Sequence, residues 1–89
     1  INREDMALML YRYATKVAKS ELPAVNEAVQ FTDAKDISSK AYEAVSLMQR
    51  SGIINGIAEG KEMSFAPKNE ANRAQASAMI ARFYMILSR

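Results

Sequence analysis

The side chains that could do chemistry in this chain are few in kind. It has no His and no Cys, which removes imidazole bases, thiolate nucleophiles, disulfides and the usual nitrogen and sulfur ligands of zinc. Catalysis would have to rest on carboxylates, Lys, Tyr or Ser. The paired acids Glu4 and Asp5 are sequence neighbours, so they point to different sides of a helix and make a poor general acid and base. That argues against a glycosidase. Two arginines ask for more attention, because Asn2-Arg3 and Asn72-Arg73 repeat one dipeptide at what reads as a helix start. A cation there is unfavourable by about a few tenths of a kcal/mol, so its repeated use needs a reason, either an acidic ligand or an acidic neighbour such as Asp33 or Asp36. Tyr11, Tyr42 and Tyr84 offer ring faces on which a sugar can stack while the hydroxyl reaches water. Tyr84 is the best placed, since it falls off the apolar stripe of its helix.

The frame around these residues is small. A chain of 89 residues is one domain at most, and at this length folding buries only about 60–65% of the surface of the unfolded chain, leaving little room for a cleft beside a full core. A binding or assembly module fits better than an enzyme. The composition, 49% hydrophobic and 25% charged with a formal charge of +2, is that of an ordinary globular protein. Through Val45 there are six basic and seven acidic residues, and after it six basic and three acidic. Neither part carries the dense Lys/Arg stripe that a nucleic-acid backbone demands. No apolar run approaches the roughly 20 residues of a membrane span, and no charged-then-apolar leader is present.

Three segments have helical periodicity and end signals. In residues 1–19, Asn2 can cap, Glu4 and Asp5 suit the positive end of the helix dipole, and Lys16 and Lys19 suit the negative end. Met6, Leu10, Tyr13 and Val17 form one apolar stripe, widened by Met9 and Ala14. A connector follows, broken at Pro23, with room for a turn of helix at residues 25–29. The second helix starts at Ser38 or Ser39 and carries Ala41, Ala44, Val45 and Met48. It ends at Gly52, which accepts a left-handed C-terminal turn, with Ile53 and Ile54 able to fold back as its apolar contact. Short turns and extended pieces lead through Asn55-Gly56, Glu59-Gly60-Lys61 and Phe65-Ala66-Pro67, none long enough for a substantial sheet. The third helix is capped by Asn72 and places Ala76, Met79, Ile80, Phe83, Ile86 and Leu87 on its apolar face. The methionines Met6, Met9, Met48, Met79 and Met85 read as core. The expected fold is mainly α, helix-loop-helix with short extended connectors.

Aligned at an offset of seventy residues, the first and third helices match at Asn2-Arg3 and Asn72-Arg73, Met9 and Met79, Leu10 and Ile80, Arg12 and Arg82, and Tyr13 and Phe83. The same helix is used twice. Residues 1–19 are then the closing helix of one unit, residues 20–30 a connector, and residues 31–89 one complete unit. The chain is about one and a half repeats.

The sequence of landmarks in that unit resembles the S-layer homology family over nearly the whole chain. They are Phe31-Thr32-Asp33, a Ser-capped helix, Gly52-Ile53-Ile54-Asn55-Gly56, a turn at Gly60, Phe65-Ala66-Pro67 and Asn72-Arg73-Ala74-Gln75. The resemblance implies a non-catalytic module, usually in sets of three, that holds S-layer proteins and surface enzymes to bacterial wall glycopolymers. The polymers are acidic, in many cases pyruvylated, and the module needs no metal or cofactor. It also implies an extracellular location at the bacterial cell wall or S-layer. The family's Thr-Arg-Ala-Glu signature falls on Asn72-Arg73-Ala74-Gln75 and, in the earlier unit, on Asn2-Arg3-Glu4-Asp5. Arg3 and Arg73 therefore correspond to arginines that meet the glycan in a groove between repeats, a task suited to a guanidinium fork. The resemblance further points to Asp33, and to the turn with Glu59 and Gly60, as ligand-side positions. Lys40 stands where the family has an aromatic residue, and Tyr84 joins the set as a stacking face. Asn for Thr, Gln75 for Glu and the added Glu62-Met63-Ser64 depart from the pattern. The alternative from another class is a protein-interaction or self-assembly segment of a surface-layer protein without glycan binding. Either way, Met6, Leu10 and Tyr13 need covering by a neighbouring repeat or a second chain, so a homo-oligomer or a helix exchange is expected of this piece.

Overall fold

Three helices and one hairpin follow in the order α1 (Arg3–Arg12), α2 (Ser39–Arg50), β1 (Ile57–Glu59), β2 (Glu62–Ser64) and α3 (Arg73–Leu87). The computed structural model describes residues 1–19 and 22–88, with the backbone alone at Glu59. Ser20 and Glu21, at the head of the connector, lie outside the described residues. The protein is mainly α, as its periodicity implies, and its sheet is limited to two antiparallel three-residue strands pairing Ile57 with Ser64, Ala58 with Met63 and Glu59 with Glu62. Gly60, at φ +62°, takes the first position of the two-residue hairpin loop, where a left-handed residue lets the loop follow the twist of the strands.

Both repeated helix starts use the same device. Asn2 Oδ1 accepts the amide of Asp5 at 2.8 Å, and Asn72 Oδ1 accepts that of Gln75 at 2.8 Å. At Asn72 the Gln75 side chain also returns to the cap amide, completing a capping box. At its far end α1 widens into a π-turn over Tyr13–Val17, with Ala18 N bonded to Tyr13 O. Thr15 Oγ1 binds the Tyr11 and Arg12 carbonyls there. The wider turn advances the side chains by a different angle, and Val17 leaves the stripe of Met6 and Leu10 and is 65% exposed. The helix α2 ends as the sequence predicts. Gly52 is at φ +80°, its amide bonds Gln49 O, and Ile53 N reaches Met48 O, the paired bonds of a Schellman motif.

The core joins Met6, Ala7 and Leu10 of α1 to Ala41, Val45 and Met48 of α2, with Ile53, Ile54 and Phe65 between them and Met79 and Phe83 of α3 on the remaining side. Met6 and Leu10 are thus buried within the chain, in one cluster with residues of α2, α3 and the segments between them. Tyr13 meets Phe83 edge-on at 6.0 Å yet stays half-exposed. The connector differs from expectation: residues 25–29 are not helical. Their backbone is claimed by the end of α2 instead, where Val25 and Asn26 amides bond Arg50 O. The Gln49 side chain bridges Glu27 O and Val29 N.

Gly56 is fixed by space rather than by its backbone angle. A Cβ there would lie 2.7 Å from the Phe31 ring and 3.0 Å from Ser64 O, and that ring is already edge-on to Phe65 at 5.4 Å. Gly56→Ala is expected to lower stability by about 1–3 kcal/mol through overpacking, read as a fall in the urea midpoint with the slope unchanged.

Candidate functional site

The backbone bonds made around the start of α1 decide where its first side chains go. Residues 67–71 run beside the chain entering α1, with Ala71 N on Ile1 O, Arg3 N on Asn69 O and Glu4 N on Pro67 O. That alignment turns Arg3 inward, and the residue is only 4% exposed. Its Nε donates to Phe65 O at 2.8 Å and its Nη2 to Asn55 O at 3.0 Å. The guanidinium carbon lies 5.2 Å from the centroid of the Phe65 ring. Burial lowers the Arg3 pKa, and the field of Asp33 opposes that fall, but an arginine keeps its charge in either case.

Asp33 works on the other side of the same peptide. Its two carboxylate oxygens accept the amides of Phe65 at 2.9 Å and Ala66 at 2.8 Å. Together Arg3 and Asp33 grip Phe65 from its carbonyl and its amide, and they hold Ala66 in a left-handed conformation at φ +56°. Of the positions marked out in the sequence, these two come together.

Beyond Arg3 lies an open groove of about 350 Å³ whose walls include Asn55, Gly56, Ile57, Gln75 and Arg82. Arg82, one face of α3, donates from Nη1 to Ile53 O at 3.3 Å. Two guanidinium groups therefore stand on carbonyls of the 53–56 loop, and among the described residues no acidic side chain lines the groove. Such a cleft favours a carboxylate or another anion. Arg73 is exposed at the first position of α3, and Ala74 and Gln75 after it reach the groove. Gly60 sits at the hairpin tip with open space where a side chain would be, beyond Ile57 at the groove edge. Lys40 is exposed in the first turn of α2 and does not line the groove. Tyr84 lies instead on a separate apolar groove between α1 and α3. The Glu59 side chain lies outside the described residues.

Residues not marked out from the sequence also contribute. Asn55 and Gly56 stand in the sequence as turn residues and family landmarks without a ligand role, and Arg82 carries a signal in its match to Arg12. The Glu4 carboxylate had no signal. It is buried and accepts from Ser38 N at 3.0 Å, Ser38 Oγ at 2.6 Å and Lys68 Nζ at 3.0 Å, and Lys68 also donates to Ser38 Oγ at 2.6 Å. Ser38 thus occupies the cap position of α2 while its hydroxyl serves Glu4.

Compared with models of known families, residues 30–77 match the S-layer homology domain, which is more than half of the chain. The chain belongs to the S-layer homology family. The matched stretch runs from the end of the connector through α2 and the hairpin into the first turns of α3, and so includes Asp33, the 53–56 loop, Phe65 and Arg73. Comparison with curated proteins and with solved structures gives no match. Membership of the S-layer homology family carries a general role in surface anchoring at the S-layer and cell wall. Among the described residues no helix is long and apolar enough to cross a membrane.

Proposed function

We propose that this chain is a non-catalytic, extracellular anchoring module that binds acidic groups of a secondary cell wall polysaccharide, pyruvyl carboxylates among them, in the groove between Arg3 and Arg82. The observation that carries the reading is the pair of guanidinium groups pinned to the carbonyls of the 53–56 loop, in a cleft lined by no acid among the described residues. Of the Arg3 donors, Nη1 has no protein partner among the described residues, so the fork is oriented before a ligand arrives. A preorganised donor loses less on binding. Arg73 and the Gly60 turn flank this groove and extend the contact along the polymer, while Asp33 positions the groove wall through Phe65. In this reading residues 1–19 close one repeat and residues 31–89 form the next, so that the groove lies at the junction of two repeats. The shared Asn caps of α1 and α3 support that division.

Arg82 is the residue to test, because it is exposed and its loss leaves the core intact. Arg82→Gln is expected to weaken binding to purified wall polysaccharide by about 10- to 100-fold, the effect of one charge-assisted hydrogen bond. Its urea midpoint should stay near that of the parent. Pull-down at parental strength by both Arg82→Gln and Arg73→Gln would sink the proposal.

A further inference from the structure

The second groove has different chemistry. Met9 and Tyr13 of the first helical stretch face Ile80, Phe83, Tyr84 and Leu87 of α3 across an apolar cleft of about 300 Å³. Much of this lining is open to solvent, with Ile80 at 51% and Tyr84 at 71% exposure, which is costly for a face with no partner. The surroundings are mainly basic, although Asp5 lies one turn before Met9. Residues 6–19 contain Arg12, Lys16 and Lys19 and no acid, and residues 71–89 contain three arginines and no acid. Arg12 follows Met9 by three residues, which puts it on the same side of the helix.

The complementary surface is on the same molecule. Residues 20–36 contain four acids against Lys35 alone. Within them Val25, Glu27 and Val29 are all exposed, so the connector presents two apolar side chains with a carboxylate between. Its backbone is held in that presentation by the Gln49 side chain and the Arg50 carbonyl. The connector and the cleft are therefore complementary in charge and alike in apolar character.

We infer that the α1/α3 groove receives the connector of a second copy of this chain, with Val25 and Val29 on the apolar floor and Glu27 toward Arg12 and Lys16. The contact inferred is head to tail: it leaves one free groove and one free connector after each addition and builds open rows, and a parent that stops at a dimer would mean a reciprocal pair and overturn this. This surface is independent of the Arg3–Arg82 groove.

The test is sedimentation of the 89-residue chain over a series of concentrations. The parent should gain average mass with concentration beyond a dimer, and less so when salt is raised to about 0.5 M, where the Debye length falls to roughly 4 Å. Tyr84→Glu blocks the groove and Glu27→Lys reverses the connector; each alone should associate at least ten-fold more weakly. Both positions are exposed, and unchanged urea midpoints will establish that the variants fold. Mixed together, the two should form one-to-one dimers that grow no further, since one retains a connector and the other a groove. A parent that stays monomeric throughout overturns the inference. So does a Glu27→Lys chain that associates as the parent does, which would mean groove-to-groove pairing. Binding to anionic lipid vesicles in place of self-association would assign the face to a membrane surface and overturn it equally.

Discussion

Arg3→Ala is expected to cost about 2–4 kcal/mol of stability, whereas Arg73→Ala should change it by less than about 0.5 kcal/mol. The two arginines occupy matching places in a repeated helix start, and only their surroundings separate them. Removing the Arg3 side chain leaves the Phe65 and Asn55 carbonyls without their donors in a buried to part-buried setting, opens a cavity against the Phe65 ring, and removes a positive charge that acts on Asp33. A domain of this size has only about 5–15 kcal/mol in hand, so the Arg3 variant should lose a large share of its folded margin. Arg3→Lys keeps the charge but not the fork, and should fall between the two. Urea denaturation of the three variants measures this directly. Equal midpoints for the alanine variants would mean that the socket contributes nothing.

The second large effect belongs to Glu4. Burial raises its pKa, but the hydrogen bonds from Ser38 and Lys68 and the charge of Lys68 outweigh that, and the carboxyl ends below its ordinary value. A group held lower in the folded state stabilises fully above its unfolded pKa, about 4.3. That contribution is lost as the pH falls through the folded value. Glu4→Gln is expected to cost about 2–3 kcal/mol at pH 7, because Lys68 and the Ser38 amide lose a charged acceptor. It should also make the decline of stability between about pH 5 and pH 2 shallower than in the parent. Thermal melts across that range distinguish the two chains; parallel acid limbs would show that Glu4 does not carry the acid sensitivity.

What could be read from the sequence was governed by short range. Asn2, Asn72 and Gly52 announce their roles because a cap or a C-terminal turn needs only three or four neighbouring residues. The Arg3 and Arg73 match is visible because repetition is itself a sequence property. The Glu4 site escaped because its partners are 34 and 64 residues away, and because Ser38 reads locally as a cap until a distant carboxylate claims its hydroxyl. Asp33 shows the same limit, its carboxylate reaching across 32 residues to the Phe65 amide. Periodicity placed Met6, Leu10, Met79 and Phe83 in the core and overextended to Val17 and Ile80. A stripe records which side chains share a side, and the packing partner decides how much of it is covered.

The short ladder between residues 1–4 and 67–71 has a mechanical meaning. It runs antiparallel, with Ile1 bonded to Ala71 at one end and Glu4 to Pro67 at the other. A pull on Ile1 against α3 enters this ladder at a single end and loads its bonds in succession rather than together. The Ile1–Ala71 bond takes the force first and Arg3–Asn69 next. The buried side-chain contacts of Arg3 and Glu4 come last, so the tether would peel open up to two charged stops that hold α1 to the rest of the fold.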